Sequence, residues 1–308
     1  MKSYHDIAGD GGSRVLEQVA GQRARIAEGL AGVRHLVAVG SGKGGVGKST
    51  LTMHLAGALR ARGLRIAILD ADFNGPSQAR MAGVRQAVFV PGRDKVALPR
   101  TAAGIGVFSM GSLLSESEAL DFESAALGES HTWRATREFA LLSEILGAFD
   151  WGALDLLILD LPPGAERTVQ YADFLRPFDA AQDRPFDGAQ GRPTVSFVLV
   201  TIPSQVARGV VARSVAALSK GQHRVLGYVE NMSGYFCRDC NGLKPLFDSG
   251  VPAALPIPCL GSVPFDPELA RSCDLGIPLE ALHGSPVAGA VQQIAHRLLN
   301  DLDKGSGS

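Results

Sequence analysis

Charge of one sign is what this chain most visibly lacks: 30 Lys and Arg stand against 31 Asp and Glu in 308 residues, a net of −1. So weak a field recruits neither nucleic acid nor an anionic bilayer, and neither is expected as a partner. Cysteine is also scarce, with four in the whole chain. That is too few for a disulfide framework. Two of them, Cys237 and Cys240, form one tight C-x-x-C pair, which suits metal or redox chemistry in a reducing compartment better than a secreted scaffold. Long apolar runs are missing: no window approaches the ~18 residues of a membrane helix. Met1–Asp10 carries Asp6 and Asp10 in place of the apolar stretch of an export signal. The expected location is the cytoplasm. The seven histidines are scattered without a ligand spacing and receive no metal role.

What is present is a globular composition, 45% hydrophobic and 20% charged, enough for a sizeable core. Short apolar runs recur: 35–39, 65–70, 106–110, 156–160, 196–201, 225–230 and 259–263. Helical spacings fall between most of them, including 133–149, 204–220 and 286–302. Continuous apolar strands alternating with helices predict an α/β fold, a doubly wound, mostly parallel sheet covered on both faces. Residues 1–31 read as a loose leader followed by an amphipathic helix, 32–303 as one nucleotide-binding domain, and 304–308 as a flexible tail. Arg176–Asp183 is repeated at once in Arg184–Gly191. With proline at fixed intervals, 176–193 reads as a solvated loop insertion.

The strand at 35–39 runs into Gly42-Lys43-Gly44-Gly45-Val46-Gly47-Lys48-Ser49-Thr50, and Leu51, Leu55 and Leu59 then recur at helical spacing. Gly42-x-x-x-x-Gly47-Lys48-Ser49 is a P-loop in its required strand–loop–helix setting. Glycines let backbone N–H groups turn toward phosphates, and the helix N-terminus adds positive potential. Lys48 should reach the β- and γ-phosphates of ATP, and the Ser49 hydroxyl should ligate Mg²⁺. Gly40, Gly42 and Gly45 also satisfy a dinucleotide fingerprint, with Asp70 placed for a ribose. That pattern leaves Gly47-Lys48-Ser49-Thr50 unexplained.

Lys43, inside the loop, makes the motif resemble the deviant P-loop of the MinD/ParA-like branch. The resemblance implies a homodimer in which Lys43 reaches the partner's nucleotide. Asp70-Ala-Asp72-Phe-Asn-Gly-Pro-Ser77 resembles the branch's first switch, where Asp72 would polarise the attacking water. Asp160 ends an apolar strand as the candidate carboxylate for a Mg²⁺-bound water, and Pro162-Pro163-Gly164 follows as the second switch. Val229-Glu-Asn-Met-Ser233 and then Cys237 and Cys240, with Asp150-Trp-Gly152 and Val263-Pro-Phe-Asp-Pro267, are similar to the Mrp/ApbC-type iron–sulfur cluster carrier ATPases over about residues 35–300.

That resemblance implies that Cys237 and Cys240, within segment 231–248, hold a [4Fe–4S] cluster jointly with the same pair of a second chain. It also places Asn231 against adenine with Pro264 beside the base, and apo iron–sulfur proteins as clients. Four thiolates alone suit iron–sulfur and zinc equally. Cys259 and Cys273 are expected to be ordinary buried thiols. Departures stand in the second switch, where the usual Pro-Pro-Gly-Thr-Gly-Asp is Pro162-Pro163-Gly164-Ala165-Glu166-Arg167, with Glu166 one place before the usual acid. The usual Trp-Lys/Arg-Gly-Pro is Trp133-Arg134-Ala135-Thr136. The rivals are a MinD/ParA-like positioning or partition switch and a zinc-bridged, non-hydrolysing scaffold.

Overall fold

A computed structural model describes residues 21, 24–87, 89–92, 95–113, 131–176, 178–179, 184–185, 195–237, 239–240, 242–247, 254–277 and 287–304. Eight strands form the main sheet: β1 (Val33–Ser41), β2 (Ile66–Asp70), β3 (Gly106–Phe108), β4 (Leu154–Asp160), β5 (Val195–Thr201), β6 (Arg224–Cys237), β7 (Gly242–Lys244) and β8 (Cys259–Phe265). Their order is β7-β6-β5-β1-β4-β2-β3, with β8 paired to β6. Every pairing is parallel except β6 with β7. Helices α1 (Lys48–Ala61), α2 (Gln78–Met81), α3 (His131–Ala148), α4 (Ala165–Leu175), α5 (Gln205–Lys220), α6 (Pro267–Asp274) and α7 (Ala288–Lys304) connect or follow the strands.

The apolar runs are continuous because both faces of the sheet are buried. Val37 and Val39 of β1 face one core with Leu51, Leu55 and Leu59 of α1 and Val291, Ile294 and Leu298 of α7. Leu36 and Ala38 face the other, with Leu142 and Leu146 of α3 and Val211 and Val215 of α5. Alternation along one strand therefore divides residues between two hydrophobic layers, as the period of two requires. The doubly wound sheet is the one expected.

The leader and most of its helix lie outside the described residues, where only 21 and 24–29 are helical. Of the repeat at 176–193, Phe178–Asp179 pairs antiparallel with Arg184–Pro185; most of the rest lies outside the described residues. The terminal helix packs as a core element, with Val291, Ile294, Leu298 and Leu302 buried.

β6 differs from expectation. The apolar run suggests a strand ending at Glu230, but pairing continues to Cys237 over 14 residues. Two neighbours hold the extension. Tyr235 is in register with Phe265 of β8, and Tyr235–Cys237 pairs antiparallel with β7. The register shifts between Asn231 and Tyr235, where Met232 takes φ 54°. A bulge of this kind re-aims side chains without ending the strand.

Leu157, fully buried in the central strand β4, reports on this packing. Leu157→Ala should cost about 2–5 kcal/mol in urea unfolding. Val206→Ala, at a position 64% exposed on α5, should stay within about 0.5 kcal/mol.

Candidate functional site

The C-terminal ends of β1, β2 and β4 lie side by side, with Val39 beside Asp160 and Asp160 beside Asp70. Ligands bind at this edge in open α/β sheets. The loop from β1 to α1 starts with Gly42, where an added Cβ would lie 2.5 Å from Val210 Cγ1. Gly45 and Gly47 have φ of 76° and 77°, a region that residues with a side chain avoid. A Cβ on Gly47 would also come within 2.2 Å of Asn231 Nδ2. Gly47 caps α1 without any side-chain hydrogen bond to the first turn, leaving N–H groups for a ligand to satisfy. Lys43 and Gly44 are exposed, and Val46 is buried.

At the base of the loop, Lys48 Nζ lies 2.5 Å from Asp160 Oδ1 and 3.1 Å from Ser49 Oγ. The Asp160 carboxylate, wholly buried, also accepts from Thr52 Oγ1 at 3.3 Å and from Gln78 Nε2 at 2.8 Å. Asp70, equally buried, accepts from the backbone of Ser77 and Gln78 at 2.9 and 3.0 Å and from Ser109 Oγ at 2.8 Å. Its pKa is pushed up to about 7, first by burial and then by the neighbouring Asp160 charge. Asp72 is half-buried and accepts from Gly75 N at 3.2 Å. Burial raises its pKa, and Lys48 opposes the shift. Two buried carboxylates thus share one ammonium, and the other nearby donors are neutral. Hard oxygen ligands with uncompensated negative charge fit magnesium.

Beside the loop is a solvent-open cleft lined by Gly47, His54, Asn231, Pro264 and Asp266 among others. Asn231 and Pro264 therefore share one cleft, as expected. Asn231 Nδ2 donates to Val46 O at 2.9 Å, aimed there by the bulge in β6. His54, which sequence reasoning missed, is 2% exposed at this cleft and lies 3.5 Å from Cys273 Sγ. Burial pushes the imidazole down to about 4.

The segment after Asp160, which resembles the family's second switch, carries an altered network. Arg167 occupies the place of the resembling family's aspartate and is ion-paired with Glu138 of α3, itself 3% exposed. Tyr171 Oη lies 2.6 Å from Glu138 Oε1 and 2.9 Å from Ala71 O, so α4 is tied to the Asp70–Asp72 turn. Glu166 is exposed and accepts from Gln170 Nε2 at 3.2 Å, one helical turn on. The backbone of Trp133–Thr136 lies in α3, while those side chains lie outside the described residues.

Cys237 ends β6 half-buried, and Cys240 is exposed. Hydrogen bonds from Cys240 and from the backbone of Asp239 bring the Cys237 thiol down to about 7. The other two cysteines divide. Cys273 is buried and its thiol is pushed up to about 11 by desolvation. Cys259 corrects the expectation: it is exposed, because it opens β8 at the sheet's edge. It pairs with Tyr228, whereas Phe265 pairs with Tyr235. At about 3.3 Å per residue, Cys259 is therefore roughly 20 Å or more from Cys237. One strand, β6, carries both Asn231 beside the loop and Cys237 at its end, and Cys259 stands apart from that cysteine.

Gln78, Ser109, Glu138 and His54 carry no motif that would reveal them. Thr52 could have been found, since it lies one turn beyond Lys48 on α1 and donates to Lys48 O at 3.0 Å.

The geometry agrees with known proteins. Cytosolic Fe-S cluster assembly factor NUBP2 of Homo sapiens is 36% identical over 280 residues, 88% of this chain and 94% of that one. An iron-sulfur cluster carrier protein of Deinococcus radiodurans is 34% identical over 283 residues, 91% of this chain and 73% of that one. A nucleotide-binding protein from Archaeoglobus fulgidus, solved with ADP and cobalt, superposes with TM-score 0.66 at 28% identity over 86% of this chain and 94% of that one. The cell division ATPase MinD of Pyrococcus furiosus, at 19% identity and TM-score 0.57 over 87% of this chain and 99% of that one, shares the fold. Residues 32–299 match the ParA group described as NUBPL iron-transfer P-loop NTPase, and the chain belongs to that family.

Proposed function

We propose that this chain is an ATP-hydrolysing homodimer that holds a [4Fe–4S] cluster on Cys237 and Cys240 of each subunit and delivers it to apo iron–sulfur proteins in the cytoplasm. The observation that carries the reading is β6. One strand bears Asn231 in the cleft beside the phosphate loop and Cys237 at its end. The cytosolic assembly-factor and carrier names of the relatives agree.

In this reading the glycine loop and the start of α1 receive the phosphates, and Lys48 leaves Asp160 for the β- and γ-oxygens. Ser49, with Asp160 behind it, would hold Mg²⁺, which when bound supplies charge neutralisation at the phosphates. Asp72, its pKa raised by burial, orients the attacking water. Exposed Lys43 serves the nucleotide of the second subunit. Asn231 and Pro264 flank the adenine. The buried apolar face of α7 argues against a membrane-tethered positioning switch, which would need that face for lipid. No described helix is long and apolar enough to cross a membrane.

The direct test is anaerobic reconstitution with iron and sulfide. A broad visible absorbance that both Cys237→Ala and Cys240→Ala abolish is expected. Stoichiometric zinc without that band would refute the cluster and favour a zinc-bridged scaffold. For the shared nucleotide site, Lys43→Ala should abolish ATP-dependent dimerisation in light scattering while leaving monomer nucleotide affinity within about threefold, since Lys48 retains the phosphate role.

Cys237 also makes a pH prediction. A lowered pKa puts its reactive thiolate at lower pH than an ordinary thiol. In the cluster-free chain its iodoacetamide alkylation, followed by mass spectrometry, should be half-maximal near pH 7, given a thiol near 7. Cys273, near 11 and buried, should remain unmodified across that range. A Cys237 rate still climbing steeply above pH 8, roughly one unit past that midpoint, would contradict the shift.

A further inference from the structure

Gln78 is the first residue of α2 and is fully buried. Its amide nitrogen donates to Ser49 O at 2.9 Å and to Asp160 Oδ2 at 2.8 Å. Both partners only accept, so the orientation of the amide is forced; turned over, it would set oxygen against oxygen twice. The forced orientation also fixes Oε1. That atom is shielded from solvent and has no hydrogen-bond partner among the described residues.

Buried acceptors are rarely left without a donor. Several nearby protein donors are already engaged. Lys48 Nζ and Thr52 Oγ1 converge on Asp160 Oδ1, and Ser109 Oγ and the backbone N–H groups of Ser77 and Gln78 converge on Asp70. A donor that arrives with the ligand would satisfy this atom. Gln78 is anchored on Ser49 and Asp160, the two residues that would carry a hydrated cation, and water polarised by a divalent ion is a strong donor. Lys48 is the weaker candidate, because incoming phosphates draw its charge away from this side.

We propose that Gln78 is a positioning residue for hydrated magnesium. Nε2 holds Asp160 and the Ser49 carbonyl, while Oε1 accepts a hydrogen bond from the ion's water shell. The proposal rests on the magnesium–nucleotide reading of this site and adds to it a residue outside the phosphate-binding and switch motifs.

The test measures binding of a fluorescent ADP analogue to the full chain with Mg²⁺ and with EDTA. Wild type should bind more tightly with Mg²⁺. Gln78→Met removes the acceptor and should lose about tenfold of that enhancement, the worth of a hydrogen bond to a charged group. Its metal-free affinity should stay within about twofold. An unchanged enhancement in Gln78→Met, or an equal loss with and without metal, overturns the proposal; the second result would mean a packing role alone. If Gln78→Met fails to fold in a thermal melt, NMR of the wild-type Gln78 side-chain amide decides, and a resonance unmoved when Mg²⁺ is added to the ADP-bound chain overturns the proposal. A wild-type chain that gains nothing from Mg²⁺ brings down the magnesium reading as well, whereas a wild-type gain that Gln78→Met shares brings down only the role of Gln78.

Discussion

Asp70 and Asp160 sit side by side on adjacent strands, both wholly buried, with Lys48 as the one ammonium nearby among the described residues. Burying a carboxylate costs several kcal/mol unless donors surround it, and the surrounding architecture supplies them. The strand–loop–helix turn brings Lys48 and Thr52 to Asp160. The turn after β2 folds back so that the backbone of Ser77 and Gln78 reaches Asp70, and Ser109 arrives from the end of β3. Such a cluster is a poor way to gain stability, because apolar residues of equal volume commonly do as well or better. Its value lies in the ligand. Phosphates that draw Lys48 away leave the carboxylates short of positive charge, so nucleotide and cation would favour each other's binding.

A second constraint is the length of β6. From Asn231 to Cys237 the strand advances only about 13 Å, because Asn231–Tyr235 spans no more than Val263–Phe265 of β8, and one paired backbone joins the nucleotide cleft to the thiols. The bulge between them holds Met232 at φ 54°, a conformation that costs a bulky residue energy and that surrounding structure must enforce. β8 does so on one side, and it also contributes Pro264 to the same cleft. A change in the cleft is therefore felt by both strands that frame it. The bond from Tyr171 to Ala71 O gives α4 a comparable hold on the turn after β2.

What the sequence made legible was local. The P-loop reads directly because its glycines, lysines and serine have fixed spacing, and the sheet reads because parallel strands buried on both faces are unbroken apolar runs. The rest depends on pairing between distant segments. Nothing in Asn231–Cys237 announces a strand, since β7 and β8 supply the ladder. Cys259 opens a run that looks buried, yet its strand lies at the edge. Arg167 reads as a departure from the second switch until Glu138, 29 positions earlier in the chain, is found ion-paired with it. Gln78 opens a four-residue helix, and its place beside Asp160 comes wholly from what folds around it.

The cysteine geometry carries the reasoning furthest. A four-thiolate site within one chain would need Cys237, Cys240, Cys259 and Cys273, the only cysteines present. Cys259 is too far along the β6–β8 ladder, and Cys273 is buried against His54 with its thiol held protonated. A cluster bound by four sulfurs would therefore draw two from another molecule, and under the proposed reading a two-fold axis through the Cys237–Cys240 turn would supply them at no cost in new sequence. The exposed Lys43 has the same requirement under the proposed reading, since its target lies on the second subunit. Nucleotide and cluster would then depend on one interface, so any change in how tightly the subunits close would alter both sites together.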